Sequence, residues 1–84
     1  MRYMISFTFM PDRQSEIQAV LPEELAHINL LRERDIIEEI YLLSDGSGGW
    51  IVMKGESKEE IQKTLESFPL YPHIAPEPEI VTLR

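Results

Sequence analysis

The chain has 84 residues, no cysteine, and 15 acidic against 8 basic residues, for a net charge of -7. That length supports a single domain, residues 1–84, because two cores would leave neither half enough buried surface. The absence of cysteine excludes a disulfide framework, a thiolate nucleophile and thiolate metal ligands.

The acidic balance, with no basic stripe or aromatic-basic ribbon, argues against nucleic acid and anionic membrane surfaces as partners. No stretch approaches the roughly 20 apolar residues of a membrane span. Met1-Arg2-Tyr3-Met4 enters a strand-like run without a signal-peptide pattern, so a cytoplasmic location is expected. A domain of this size buries only about 60–65% of its unfolded surface, and self-association is the remaining common route to more.

Residues 3 to 10 place Tyr3, Ile5, Phe7 and Phe9 on one face at period two, which predicts a strand. Pro11 and Asp12 stop it, and Asp12 or Ser15 can cap a helix. Ile17, Val20 and Leu21 begin a helical stripe that Pro22 interrupts, because proline lacks the N–H and clashes with the preceding turn. A short turn or helix over residues 14 to 20 is therefore expected. A main helix should follow from Pro22 to about Arg34, with Leu25, Ile28 and Leu31 facing the core.

Residues 36 to 43 read as a strand, residues 44 to 49 as a glycine-rich turn and residues 50 to 54 as the returning strand of a hairpin. Ser57-Lys58-Glu59-Glu60 is a capping box. It opens a second helix whose buried stripe is Ile61, Thr64, Leu65 and Phe68. Residues 79 to 83 form the last strand. The order strand, helix, strand, strand, helix, strand is the α+β, ferredoxin-like βαββαβ arrangement. Right-handed crossovers put both helices on one face of a four-stranded antiparallel sheet.

The strands are apolar on both sides. The first carries Tyr3, Ile5, Phe7 and Phe9 against Met4, Ser6, Thr8 and Met10. The second carries Ile36, Ile40 and Leu42 against Ile37, Tyr41 and Leu43, and the third Trp50 and Val52 against Ile51 and Met53. Helices cover one face only, so the other is expected to pair with a second copy of the chain.

The segment Leu65-Glu66-Ser67-Phe68-Pro69-Leu70-Tyr71-Pro72, the helix start around Glu56-Ser57 and Glu59-Glu60, and Glu24 two turns before Leu31 resemble the muconolactone delta-isomerase family of the dimeric α+β barrel superfamily. The likeness spans about Pro22 to Leu83. A weaker likeness is to the YCII-like domains, which also place a histidine on the first helix. The resemblance implies a homodimer, or a higher homo-oligomer, whose sheets pack face to face. It also implies a proton shift in a small unsaturated lactone, without metal or organic cofactor. Where that family has a basic and aromatic strand, this chain has Asp35-Ile36-Ile37-Glu38-Glu39-Ile40-Tyr41. Glu38 and Glu39 would repel an anionic substrate unless they point to solvent.

Proton transfer on carbon needs a positioned base and a group that stabilises the enolate-like charge. Histidine is a common acid-base group, and Glu23 at i-4 or Glu24 at i-3 can reach His27 on a helix, so His27 and Glu24 form a candidate acid-base pair. The alternative is a half-exposed histidine at the edge of an amphipathic helix.

Tyr41 is a candidate hydroxyl donor, or an interface ring. Tyr71 and His73 either line a pocket mouth or cover the end of the core. Trp50 is a candidate substrate contact, or packs in the core or a dimer. The glycine loop joins two strands and is followed by no lysine, so it is a hairpin turn and not a phosphate loop. Two histidines 46 positions apart match no metal-ligand spacing. The functions consistent with these residues are a cofactor-free isomerase with a small-molecule ligand, or a non-catalytic dimeric binding domain.

Overall fold

The computed structural model describes residues 1–84. Its elements are β1 (Arg2–Thr8), α1 (Gln14–Glu33), β2 (Ile37–Leu42), β3 (Gly48–Lys54), α2 (Lys58–Glu66), a one-turn 3-10 helix (Tyr71–His73) and β4 (Glu79–Leu83). The sheet has strand order β2-β3-β1-β4 with every pair antiparallel. This is the expected α+β, ferredoxin-like βαββαβ fold, the architecture from which dimeric α+β barrels are built. No helix is long and apolar enough to cross a membrane.

The core lies between the sheet and the helices. Tyr3 and Ile5 of β1, Ile37 of β2, and Ile51 and Met53 of β3 meet Leu31 of α1 and Ile61, Leu65 and Phe68 of the α2 region. The opposite face carries Met4 and Ser6, Trp50 and Val52, Tyr41 and Val81, because these positions pair across the strands and alternate with the core set. The helices therefore do not cover the Met4 set, in which Tyr41, Trp50 and Val81 are exposed while Val52 is buried among its neighbours.

Three local expectations are corrected. First, Pro22 does not divide the first helix, which runs unbroken for 20 residues. Proline removes one hydrogen bond to the carbonyl of Gln18, but both residues are exposed, so water can serve that carbonyl. Ile17, Glu24 and Leu31, spaced seven apart, are all buried and continue one face through the proline. The helix starts at Arg13 without a side-chain cap from Asp12 or Ser15.

Its far end closes in a Schellman motif, with Ile36 N–H donating to the Leu31 carbonyl at 2.9 Å and Asp35 N–H to Arg32 at 3.0 Å. Asp35 takes the left-handed position, φ 61°, usually held by glycine.

Second, β2 contains an irregularity between Ile37 and Glu39. The bulge puts Ile37, Ile40 and Leu42 on the core side, so Ile37 does not share a face with Tyr41. Glu38, the extra residue, bonds outward to Arg2 Nε at 2.9 Å.

Third, Gly48 and Gly49 belong to β3 and not to the turn. A Cβ on Gly48 would run into the carbonyl oxygen of Phe7, and one on Gly49 into that of Tyr41, so both neighbouring strands depend on bare backbone there. The capping box forms in part. Ser57 Oγ accepts from Glu60 N–H at 3.2 Å, while Glu60 reaches Glu56 N–H at 3.3 Å rather than that of Ser57.

Candidate functional site

A cavity of about 200 Å³ opens between α1 and the sheet. Helix α1 contributes Ile17, Leu21, Glu24, Leu25 and Ile28 to it, and the strands contribute Phe7, Ile40, Leu42 and Ile51. The end of α2 and the chain beyond it add Leu65, Phe68, Leu70, Tyr71 and Ile74, while Phe9 closes one corner. Leu21, Leu25 and Leu42 are among the exposed apolar residues of the chain and form the rim.

Glu24 is the one ionisable carboxyl in this wall, and it is only 6% exposed. Its Oε1 accepts the backbone N–H of Leu70 at 3.0 Å across a sequence separation of 46 residues. The other oxygen makes no hydrogen bond within the chain, yet no buried side-chain oxygen is left unpartnered, so that atom keeps access to solvent or the cavity. Burial pushes the Glu24 pKa up, and the Leu70 N–H opposes this by favouring the carboxylate. A carboxyl in an apolar cavity, held by one oxygen with the other free, can take or deliver a proton.

Tyr71 is the other wall residue with a polar atom. Its hydroxyl accepts from Gln62 Nε2 at 2.9 Å, and its own hydrogen has no acceptor within the chain.

The remaining candidates lie elsewhere. His27 sits on α1 beside α2, outside the cavity wall. Its Nε2 lies 2.9 Å from Ser67 Oγ, which donates its single hydrogen to the Thr64 carbonyl. Ser67 must therefore accept from His27, which fixes the histidine proton on Nε2. The ring meets Phe68 edge-on at 5.2 Å. His27 thus fastens the corner after α2, the same corner whose Leu70 N–H holds Glu24.

His73 accepts from Arg13 Nη1 at 3.3 Å and has Glu16 at 3.9 Å, tying the one-turn helix to the start of α1. Tyr41 and Trp50 are cross-strand partners on the face away from the cavity. The Glu39 carboxylate, as hydrogen-bond acceptor and as a negative charge, raises the Tyr41 pKa. Glu38 and Glu39 are exposed and neither lines the cavity. No group of three or more His, Cys, Asp or Glu residues is arranged to hold a metal ion.

The apolar wall and the Leu70 N–H were not among the residues singled out from the sequence. Phe7 and Ile51 were legible as strand positions, but nothing local distinguishes a core residue from a cavity wall. The Leu70 bond joins segments whose contact exists only in the folded chain.

No family model matches the chain, and no curated protein matches it. Among solved structures it is similar to the 5-chloro-2-hydroxyhydroquinone dehydrochlorinase of Burkholderia phenoliruptrix in complex with 2,5-dihydroxybenzoquinone. The TM-score is 0.84 at 17% identity, over 100% of this chain and 94% of that one. At that identity the likeness establishes the fold.

Proposed function

We propose that the chain is an enzyme of proton transfer on carbon, acting on a small unsaturated lactone or a similar oxygenated ring, with Glu24 as the base. The observation that carries this reading is the single desolvated carboxyl, bonded through one oxygen, in an otherwise apolar cavity. Two likenesses support it. The sequence resembles a family of lactone isomerases, and the similarly folded dehydrochlorinase is an enzyme whose ligand is a six-membered oxygenated ring.

In the reaction, Glu24 removes a proton from the carbon next to the lactone carbonyl. The C–H electron pair enters a dienolate, and the proton returns at the γ-carbon, so the double bond moves and nothing is gained or lost. The Tyr71 hydroxyl donates to the oxygen on which charge develops. His27 acts through Ser67 and the α2 corner, as a positioning residue for Glu24.

The test is deuterium incorporation from heavy water into α-angelica lactone, with its conversion to the β isomer followed by NMR. Glu24→Gln keeps the shape and the bond from Leu70, and should slow exchange by about 10²–10⁴-fold. Exchange at the wild-type rate in that variant would rule out Glu24 as the base. Binding of the lactone without exchange by the wild type would favour the alternative, a ligand-binding domain that uses the same apolar cavity.

The working unit in this reading is a homodimer joined through the Met4 face. Trp50, Tyr41 and Val81 are exposed there, beside Met4. Light scattering should give a dimer mass, and Trp50→Glu should lower it to that of one chain. A wild-type monomer at micromolar concentration would remove this part of the reading.

A further inference from the structure

The family that the sequence resembles has a basic and aromatic strand where this chain has Glu38 and Glu39. The cavity of this chain has no such basic group. Glu24 is its one ionisable carboxyl, the Tyr71 hydroxyl its one other polar side-chain group, and its rim is made of leucines.

No lysine, arginine or histidine lines the cavity, and three of the chain's cations are held in surface pairs. Arg2 is paired with Glu38, Lys54 with Asp35, and Arg13 with Glu16 and His73. None of the three is in the cavity wall. A ligand carboxylate seated here would have no countercharge, would lose its water, and would face Glu24 at short range. Each of these opposes binding, since an unpaired buried charge and two neighbouring like charges are both costly. The net charge of -7 adds repulsion during approach.

The size bounds the ligand as well. A cavity of about 150 Å³ lined by aliphatic side chains takes a benzene ring. The volume of about 200 Å³ here therefore suits one ring with short substituents.

We infer that this site selects uncharged, mostly hydrocarbon single-ring carbonyl compounds and rejects their carboxylated counterparts. The inference rests on the proton-transfer reading only for which part of the ligand faces Glu24. The selectivity itself follows from the wall. In that case the chain acts on neutral lactones and not on anionic ones.

A matched pair of probes tests it. α-Angelica lactone carries a methyl group on the five-membered ring, and muconolactone carries a carboxymethyl group. Binding is measured at pH 7.5 by titration NMR on the full chain, with exchange into each ligand recorded separately. The neutral lactone should bind at least tenfold more tightly, a difference of about 1.4 kcal/mol. Glu24→Gln should narrow the gap without closing it, because one negative charge is gone and the apolar wall remains.

Equal or tighter binding of the carboxylate by the wild type would overturn the inference. So would an unchanged gap in Glu24→Gln, or no binding of the neutral lactone at millimolar concentration. A preference for the neutral probe without deuterium exchange would leave this selectivity standing and sink the catalytic reading. Exchange into both probes with equal affinity would do the reverse.

Discussion

Glu24 should make the stability of this chain fall as pH rises through the weakly acidic range, and replacing it by glutamine should remove that fall. The carboxyl is buried against leucine, isoleucine and phenylalanine, and burial raises its pKa above the ordinary value of 4.5. Between the unfolded and the folded pKa the native state therefore binds more protons than the unfolded chain. In that window the slope of unfolding free energy with pH is negative. The contribution is fully present below the unfolded pKa and is lost as pH passes the folded one. Each tenfold change in proton affinity is worth about 1.4 kcal/mol. That is a substantial share of the roughly 4–13 kcal/mol expected for a chain of this length.

Glutamine keeps an oxygen for the Leu70 N–H and never ionises. Urea unfolding at a fixed protomer concentration, at pH 4 and pH 7.5, gives the wild-type minus Glu24→Gln difference at each pH. Distant carboxylates cancel in that difference. The variant should match the wild type at pH 4 and exceed it at pH 7.5, because only the wild type loses the protonated form that burial favours. A control, Glu24→Leu, leaves the buried Leu70 N–H without an acceptor. It should lose about 1–3 kcal/mol relative to Glu24→Gln. The reasoning is refuted if the wild-type minus glutamine difference does not change with pH. It is equally refuted if the wild type gains on the variant as pH rises, since the carboxylate would then be better solvated folded than unfolded.

Two other outcomes follow from the backbone. Gly49→Ala directs a Cβ at the carbonyl oxygen of Tyr41, so the β2-β3 pairing must part. Loss of the amide protection of Leu43, whose N–H donates to Gly48 at 2.9 Å, is expected in hydrogen exchange, with a destabilisation of at least about 1–3 kcal/mol. Asp35→Gly relieves the left-handed backbone at the end of α1 but gives up the exposed Lys54 pair at 2.9 Å. The pair is worth about 0–1 kcal/mol, and the strain is of similar or greater size. Thermal unfolding should show the variant at least as stable as the wild type.

The sequence alone determined the element order, because period two in the strands and the three-to-four spacing in the helices are local properties of the chain. The Ser57 cap and the existence of two apolar sheet faces were legible for the same reason, while the second helix ends at Glu66, two residues before Phe68. Glu24 was legible as a candidate only through its spacing to His27 and a family likeness. The folded chain separated those two residues. Glu24 lines the cavity, and His27 reaches Ser67 at the end of the second helix.

The penalty of Pro22 is local, whereas the continuous buried face through Ile17, Glu24 and Leu31 is fixed by packing in the folded chain. The bulge at Glu38 moved Ile37 to the core side, and one extra residue is invisible to a period-two count. Tyr41 and Trp50 were plausible pocket residues until strand pairing set them on the face away from the helices. The Leu70 N–H that holds Glu24 lies 46 residues away, and only tertiary packing brings a carboxyl and its partner together over such a span. Local spacing fixed which elements form. Long-range contact decided which carboxyl is desolvated.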